Sequence, residues 1–300
     1  MNQAVRTATR RRRRRRLRPQ FIFTVCLMAA LLIGLIALCV HLVKGPEGPV
    51  QPPEPVTEAT TTRPTETEPT EPEPTTPEDR IAAFAAEHGL TLEDYPPEII
   101  EMLKRNPETE EYVLNYPLEY GKEQSIDISG YADEEGVPLF IQWDRQWGYR
   151  KYLESVAGLS ACGPTTLSMV VYHFTRDPDM HPAYMMEFAQ KNKYAIPGYG
   201  GTQWALFGEG AAKFGLKVKE LTAEQIASEE KLAQLLESGK LIVTSVGPGV
   251  FTTVGHYLVL VGYEDGKFQV NDPNSYLNSE KLWDFEEFAG DIRMMWAIGQ

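Results

Sequence analysis

Cysteine is the scarcest chemistry in this chain. Only three occur in 300 residues, and two of them, Cys26 and Cys39, lie inside one apolar run. Cys162 therefore has no partner for a disulfide in the rest of the chain. There is no CxxC and no HExxH, and a single thiol with five scattered histidines makes a poor zinc site. No metal or other cofactor is expected. Acid is missing altogether from residues 1–20, which hold nine Arg, whereas the remainder carries 20 basic residues against 42 acidic ones. So acidic a body argues against a nucleic-acid partner. Gly198-Tyr199-Gly200-Gly201-Thr202 is glycine-rich but follows Pro197 instead of a strand. It reads as a cleft-lining turn, not a phosphate loop.

The composition divides the chain into five parts. Residues 1–20 read as an Arg-rich cytoplasmic tail. Residues 21–43 contain no Lys, Arg, Asp or Glu. At 1.5 Å per residue they reach about 34 Å, enough for a hydrocarbon core of about 30 Å. The run is too long for a cleaved signal peptide and no A-x-A site follows it, so an uncleaved transmembrane signal anchor is expected. The arginines would keep the N-terminus in the cytoplasm and place the rest outside the cell. Residues 44–78 form a Pro/Thr/Glu-rich stalk, those three residue types filling 27 of the 34 positions from Gly45 to Glu78. Such a segment buries too little to offset its ordering entropy, so a disordered spacer is expected. Residues 79–120 predict an accessory helical hairpin opened by the capping-box pattern Thr76-Pro77-Glu78-Asp79, with too little apolar surface to fold alone. Residues 121–300 read as a single α+β domain, helix first and sheet afterwards.

Outside the cell unpaired thiols are uncommon, so a lone exported cysteine suggests reactivity. Cys162 precedes Gly163-Pro164 at the mouth of an apolar helix, where the positive end of the helix dipole favours a thiolate. Gly163 would leave room for a substrate against the backbone. A cysteine nucleophile needs a histidine base. His173 lies eleven residues along the same helix, about 16 Å away. His88 belongs to the accessory segment, and His181 sits in a turn as the competitor. His256 opens the apolar strand Tyr257–Val261 and is the favoured base. A three-residue loop, Glu264-Asp265-Gly266, would pair Tyr263 with Lys267 and set Asp272 opposite Leu258, diagonal to His256. A two-residue loop would reverse the parity and favour Asn271. Gln142 is the candidate side-chain donor to an oxyanion, with Gln146 second.

The segments Val137-Pro138…Gln142-Trp143-Asp144…Trp147-Gly148-Tyr149, Ala161-Cys162-Gly163-Pro164-Thr165, Gly255-His256-Tyr257 and Val270-Asn271-Asp272-Pro273 resemble the bacterial double-glycine-leader peptidase-like (peptidase C39-like) group of papain-fold cysteine peptidases. The resemblance implies a papain-like fold, with Cys162 on the N-terminal helix and His256 and Asp272 on an antiparallel sheet. It also implies a Cys162–His256–Asp272 triad with Gln142 in the oxyanion hole. The expected function is a membrane-anchored extracellular cysteine peptidase or amidase acting on peptide or isopeptide bonds, with a peptide or cell-wall peptide as substrate. The alternatives are a catalytically silent cell-surface binding module of the same fold and an acyl-transfer (transpeptidase-like) enzyme. Gln142 lies 20 residues before Cys162, farther than in papain-like leader peptidases.

Overall fold

A computed structural model describes residues 76–300, apart from 133, 134, 196, 199 and 200. The expected tail, membrane span and nearly all of the stalk lie outside the described residues. Among those described, no helix is long and apolar enough to cross a membrane.

The accessory segment is three helices where two and a further turn were expected: α1 (Pro77–Glu87), α2 (Pro97–Arg105) and α3 (Glu110–Glu119). Thr76 and Asp79 close the expected capping box on α1. Pro97 starts α2 at no hydrogen-bond cost, since the first-turn N–H groups of a helix have no internal acceptor. The three helices are amphipathic, and Ile81, Ile99, Leu103, Tyr112 and Val113 bury their apolar stripes in a common core. That core is completed by Tyr149 and Val156 from the next segment. The Tyr112 and Tyr149 rings stack at 4.5 Å, and the Tyr112 hydroxyl donates to Gly148 O at 2.9 Å. The helices therefore pack as one layer on the domain that follows, as their small apolar surface demanded.

Residues 137–141 run extended without joining a sheet. Helix α4 (Cys162–Thr175) follows, buried on almost every side, then α5 (Pro182–Lys191) packed beside it. The helix expected across residues 204–214 is present over 205–212, with a π-helical stretch, Leu206–Gly210, inside it. Thr202 does not cap it: this residue forms an isolated bridge with Ala195. Strand β1 (Lys217–Glu220) leads to α6 (Glu229–Glu237). Apart from a short ladder pairing Lys151–Tyr152 with Ser155–Val156, the other strands are β2 (Leu241–Val246), β3 (His256–Glu264), β4 (Lys267–Asn271), β5 (Leu282–Trp283) and β6 (Ile292–Gly299), which join β1. They form one antiparallel sheet in the order β1-β6-β2-β3-β4-β5.

Both faces of this sheet are covered, which is why β2 is buried at every position, its Thr244 and Ser245 included. Val243, Val259 and Trp296 face α4 and α5, while Ile242, Leu258, Leu260 and Phe268 pack with Leu232 and Leu236 of α6 on the other side.

The β3–β4 turn differs from expectation. It contains two residues, Asp265 and Gly266, both with positive φ (50° and 79°), and Glu264 pairs with Lys267. Positive φ at both central positions is the hairpin turn whose twist matches the strands. That parity would have turned Asp272 away, but one extra residue, Val261, is bulged out between Leu260 and Gly262. Beyond the bulge Val259 pairs with Asn271. One further step sets Asp272 opposite Leu258, so the expected register is reached by a different route.

Candidate active site

Three elements converge on one cleft. Helix α4 presents Cys162 at its first turn, half-buried. Strand β3 presents His256 at its first residue, and Asp272 follows directly on β4. His256 Nε2–H donates to Asp272 Oδ1 at 2.7 Å, and Cys162 is close enough to the same ring to influence its charge. Since Nε2 is taken by the carboxylate, Nδ1 is the nitrogen left to accept a proton. Burial disfavours a charged imidazole here, but the Asp272 charge, its hydrogen bond and the neighbouring Cys162 outweigh burial and push the ring's pKa up to about 10.

Asp272 is fully buried and its oxygens are well supplied with donors. Asn274 N–H donates to Oδ1 at 2.8 Å, an Asx turn that closes Asp272-Pro273-Asn274. Asn278 Nδ2 donates to Oδ2 at 2.8 Å. Sequence reasoning passed over Asn274 and Asn278, although the Asp-Pro-Asn turn and the Ser275 cap three residues before Asn278 were the signals available. Asn271, the alternative partner, points elsewhere: its amide donates to the carbonyls of Val137 and Pro138 and pins the extended segment.

Gln142 lines the same cleft as Cys162 and His256 despite its distance along the chain. Its backbone N–H donates to Pro273 O at 2.7 Å, which ties residue 142 to the turn carrying Asp272. Its side-chain Nε2 donates to Gly158 O at 2.7 Å, and that bond fixes which way round the amide lies. One Nε2–H remains for a ligand, whereas Oε1 is buried without a partner. Gln146 is occupied elsewhere, accepting from Asp127 N at 2.6 Å.

The other histidines among the described residues are accounted for. His181 caps α5, accepting from Tyr184 N at 3.1 Å, and burial lowers its pKa. His173 bonds Gly136 O, and His88 stacks on Phe84. The room expected at Gly163 is not free for a substrate. A Cβ there would lie 2.7 Å from Thr202 Cβ and Oγ1, so the glycine lets Thr202 seat against the start of α4. Pro197 to Thr202 does not line the cleft in its described part, contrary to expectation; Thr202 braces α4 instead. Among the described residues no group of His, Cys, Asp and Glu is arranged to hold a metal.

The cleft has a volume of about 460 Å³. Met102 and Arg105 of α2 form one wall and the 249–255 loop the other, with Leu159 between. Val250 and Val254 on that loop are 48% and 62% exposed, apolar side chains left open beside the sulfur. Asp291 braces the loop, accepting Val250 N–H at 2.9 Å.

Residues 134–297 match the family described as Peptidase_C39 like. The chain belongs to that family. Among solved structures it is similar to the peptidase domain of Streptococcus ComA, a bi-functional ABC transporter involved in a quorum sensing pathway. That likeness has 20% identity over 46% of this chain and 90% of that one, with a TM-score of 0.35. It is also similar to a putative C39-like peptidase from Bacillus anthracis, with 18% identity over 56% of this chain and 98% of that one, and a TM-score of 0.37. A comparison with curated proteins finds no match. The C39-like family carries the papain-type α+β fold and a cysteine-peptidase type of domain, in line with the fold class expected from the sequence.

Proposed function

We propose that this C39-like domain hydrolyses peptide or isopeptide bonds through Cys162, His256 and Asp272. The observation that carries the reading is a single imidazole bonded to a buried carboxylate and lining one cleft with the one thiol among the described residues. His256 takes the thiol proton as the sulfur attacks the carbonyl carbon, and the carbonyl electrons move to oxygen. The free Nε2–H of Gln142 and the Cys162 N–H, unpaired in the first turn of α4, receive the oxyanion. Collapse expels the amine, which carries off the proton held by His256. Water then attacks the thioester with His256 as base, releasing the acid and restoring the thiol. Asp272 orients the ring and stabilises its charged form.

The exposed Val250 and Val254 opposite Met102, with Gln142 and Asn274 nearby, suit a peptide that places an apolar side chain beside its reacting carbonyl. Attachment to the membrane by residues 21–43, with the catalytic domain outside the cell, is part of the same proposal and rests on the sequence. It is checked by proteolytic shaving of intact cells.

Iodoacetamide labelling of the full chain near neutral pH tests the chemistry. Cys162 is expected to alkylate at least tenfold faster in the wild type than in His256→Ala. Equal, slow labelling of the two would remove the basis for the enzyme.

A further inference from the structure

The family match starts at residue 134, yet the loop that carries Asp272 is held from well before it. At the α2–α3 junction Asn106 Nδ2 donates to Asn274 O at 2.6 Å. Two residues on, Glu108 accepts the Ser275 hydroxyl on Oε1 and Leu277 N–H on Oε2, the latter at 3.0 Å. These contacts lead directly to the candidate triad. Ser275 Oγ accepts Asn278 N–H at 3.0 Å, and Asn278 Nδ2 donates to Asp272 Oδ2. Asn274, held by Asn106, donates its N–H to Asp272 Oδ1, the oxygen that also receives His256. Each oxygen of the buried carboxylate is thus reached by its own path from the accessory helices.

The segment in between needs such support. Tyr276–Glu280 is a single helical turn, too short to hold its shape through its own hydrogen bonds. Its position is set by what pins its start, and Glu108 takes two of the donors there. A carboxylate that accepts a neutral hydroxyl and a backbone N–H makes stronger bonds than a neutral acceptor would. Asn106 is itself fixed, since its Oδ1 accepts Glu108 N–H at 3.1 Å.

We propose that Glu108, assisted by Asn106, is a positioning residue that keeps the Asp272 carboxylate aligned on His256, which makes the helical layer a working part of the active site. This inference rests on the reading of Cys162, His256 and Asp272 as the reacting groups. The titratable and charged groups around the ring are Cys162 from α4, Asp272 after β4 and, on the α2 wall of the cleft, Glu98, Glu101 and Arg105. Glu101 is paired with Arg105 at 3.3 Å.

The test is the alkylation rate of Cys162 as a function of pH in the full chain, for wild type, Glu108→Ala, Glu108→Gln and His256→Ala. Losing bonds to a charged acceptor lets the Asp272 loop drift and weakens the imidazolium that stabilises the thiolate. Glu108→Ala is expected to slow labelling at neutral pH about tenfold and to move the rise of rate with pH to higher pH. Glu108→Gln keeps one acceptor oxygen and is expected to fall between Glu108→Ala and wild type. General loosening of the fold would instead expose the sulfur and speed its labelling. A Glu108→Ala profile superimposable on the wild type, with a cooperative melt, overturns the proposal. If Glu108→Ala does not fold, the Gln variant decides: an intermediate rate with the shifted rise supports the proposal, and a wild-type profile overturns it. Slow labelling of His256→Ala alongside unchanged Glu108 variants refutes the positioning role alone. Wild-type labelling of His256→Ala overturns the triad beneath it as well.

Discussion

Gly163→Ala introduces one methyl group next to the candidate nucleophile, at a point where nothing can yield. The new carbon would sit 2.7 Å from Thr202 Cβ and Oγ1 and 2.9 Å from Cγ2. Comfortable contacts between such atoms are about 3.5–4.0 Å, so roughly 1 Å must be found. Rotating Thr202 does not help, because its own Cβ is among the clashing atoms. Nor can its backbone retreat easily: Thr202 O accepts the Tyr257 hydroxyl at 2.7 Å, and the residue bridges Ala195. The first turn of α4 must give way instead. Overpacking of this kind costs about 1–3 kcal/mol, and each kcal/mol lowers Tm by roughly 2–4 °C in a domain of this size. The functional effect should be larger, since a displacement of about 1 Å from productive geometry can cost on the order of 10²-fold in rate. Thermal melting and the iodoacetamide rate of Cys162 measure the two effects separately. Thr202→Gly removes all three clashing atoms. In a double-mutant cycle it should recover most of the labelling rate, with a coupling of at least about 1 kcal/mol. Wild-type melting and labelling in Gly163→Ala alone, or additive effects in the cycle, would refute the argument.

Two further predictions concern the cleft. The His256 pKa is raised from 6.5 to about 10, so the stability gained from this pairing is complete below pH 6.5 and lost as pH climbs through about 10. Wild-type Tm should therefore fall towards that of His256→Gln over this window, as followed by calorimetry at matched ionic strength; parallel curves would contradict it. Gln142→Ala should lower kcat for a cleaved peptide by about 10²–10³ while barely changing iodoacetamide labelling, because alkylation passes through no oxyanion. A matching loss in labelling would mean that Gln142 merely supports the fold.

Much of the site was legible because its signals are local. A lone thiol before Gly-Pro and an apolar helix, a histidine opening an apolar strand, and an acid closing the next one each state their own structural context. What escaped depended on contacts between distant segments. Gly163 was expected to face a substrate, but Thr202 arrives from 39 residues away to fill that space. Glu108 looked like part of an accessory helix, and its bonds to Ser275 and Leu277 cross 167 and 169 residues. The apolar run from Val137, whose composition suits a short strand or an extended segment, joins no sheet and receives the Asn271 amide, a role no propensity encodes. The helix expected near 204–214 is there, but its π-helical stretch at 206–210, with Leu206 and Phe207 in the core, was not foreseen.

The bulge at Val261 separates the two ends of its hairpin. Near the tip the strands count residues one way and near the active site another, with a single looped-out valine making up the difference. The tip is therefore free to drift in length over evolution, provided a compensating residue is gained or lost along the strand before the histidine is reached. Deleting Val261 alone would remove only the looped-out residue and leave the pairs on both sides, Gly262 with Gln269 and Leu260 with Val270, as they are. Losing a paired residue nearer the cleft, such as Val259, would instead shift His256 by one place against Asp272.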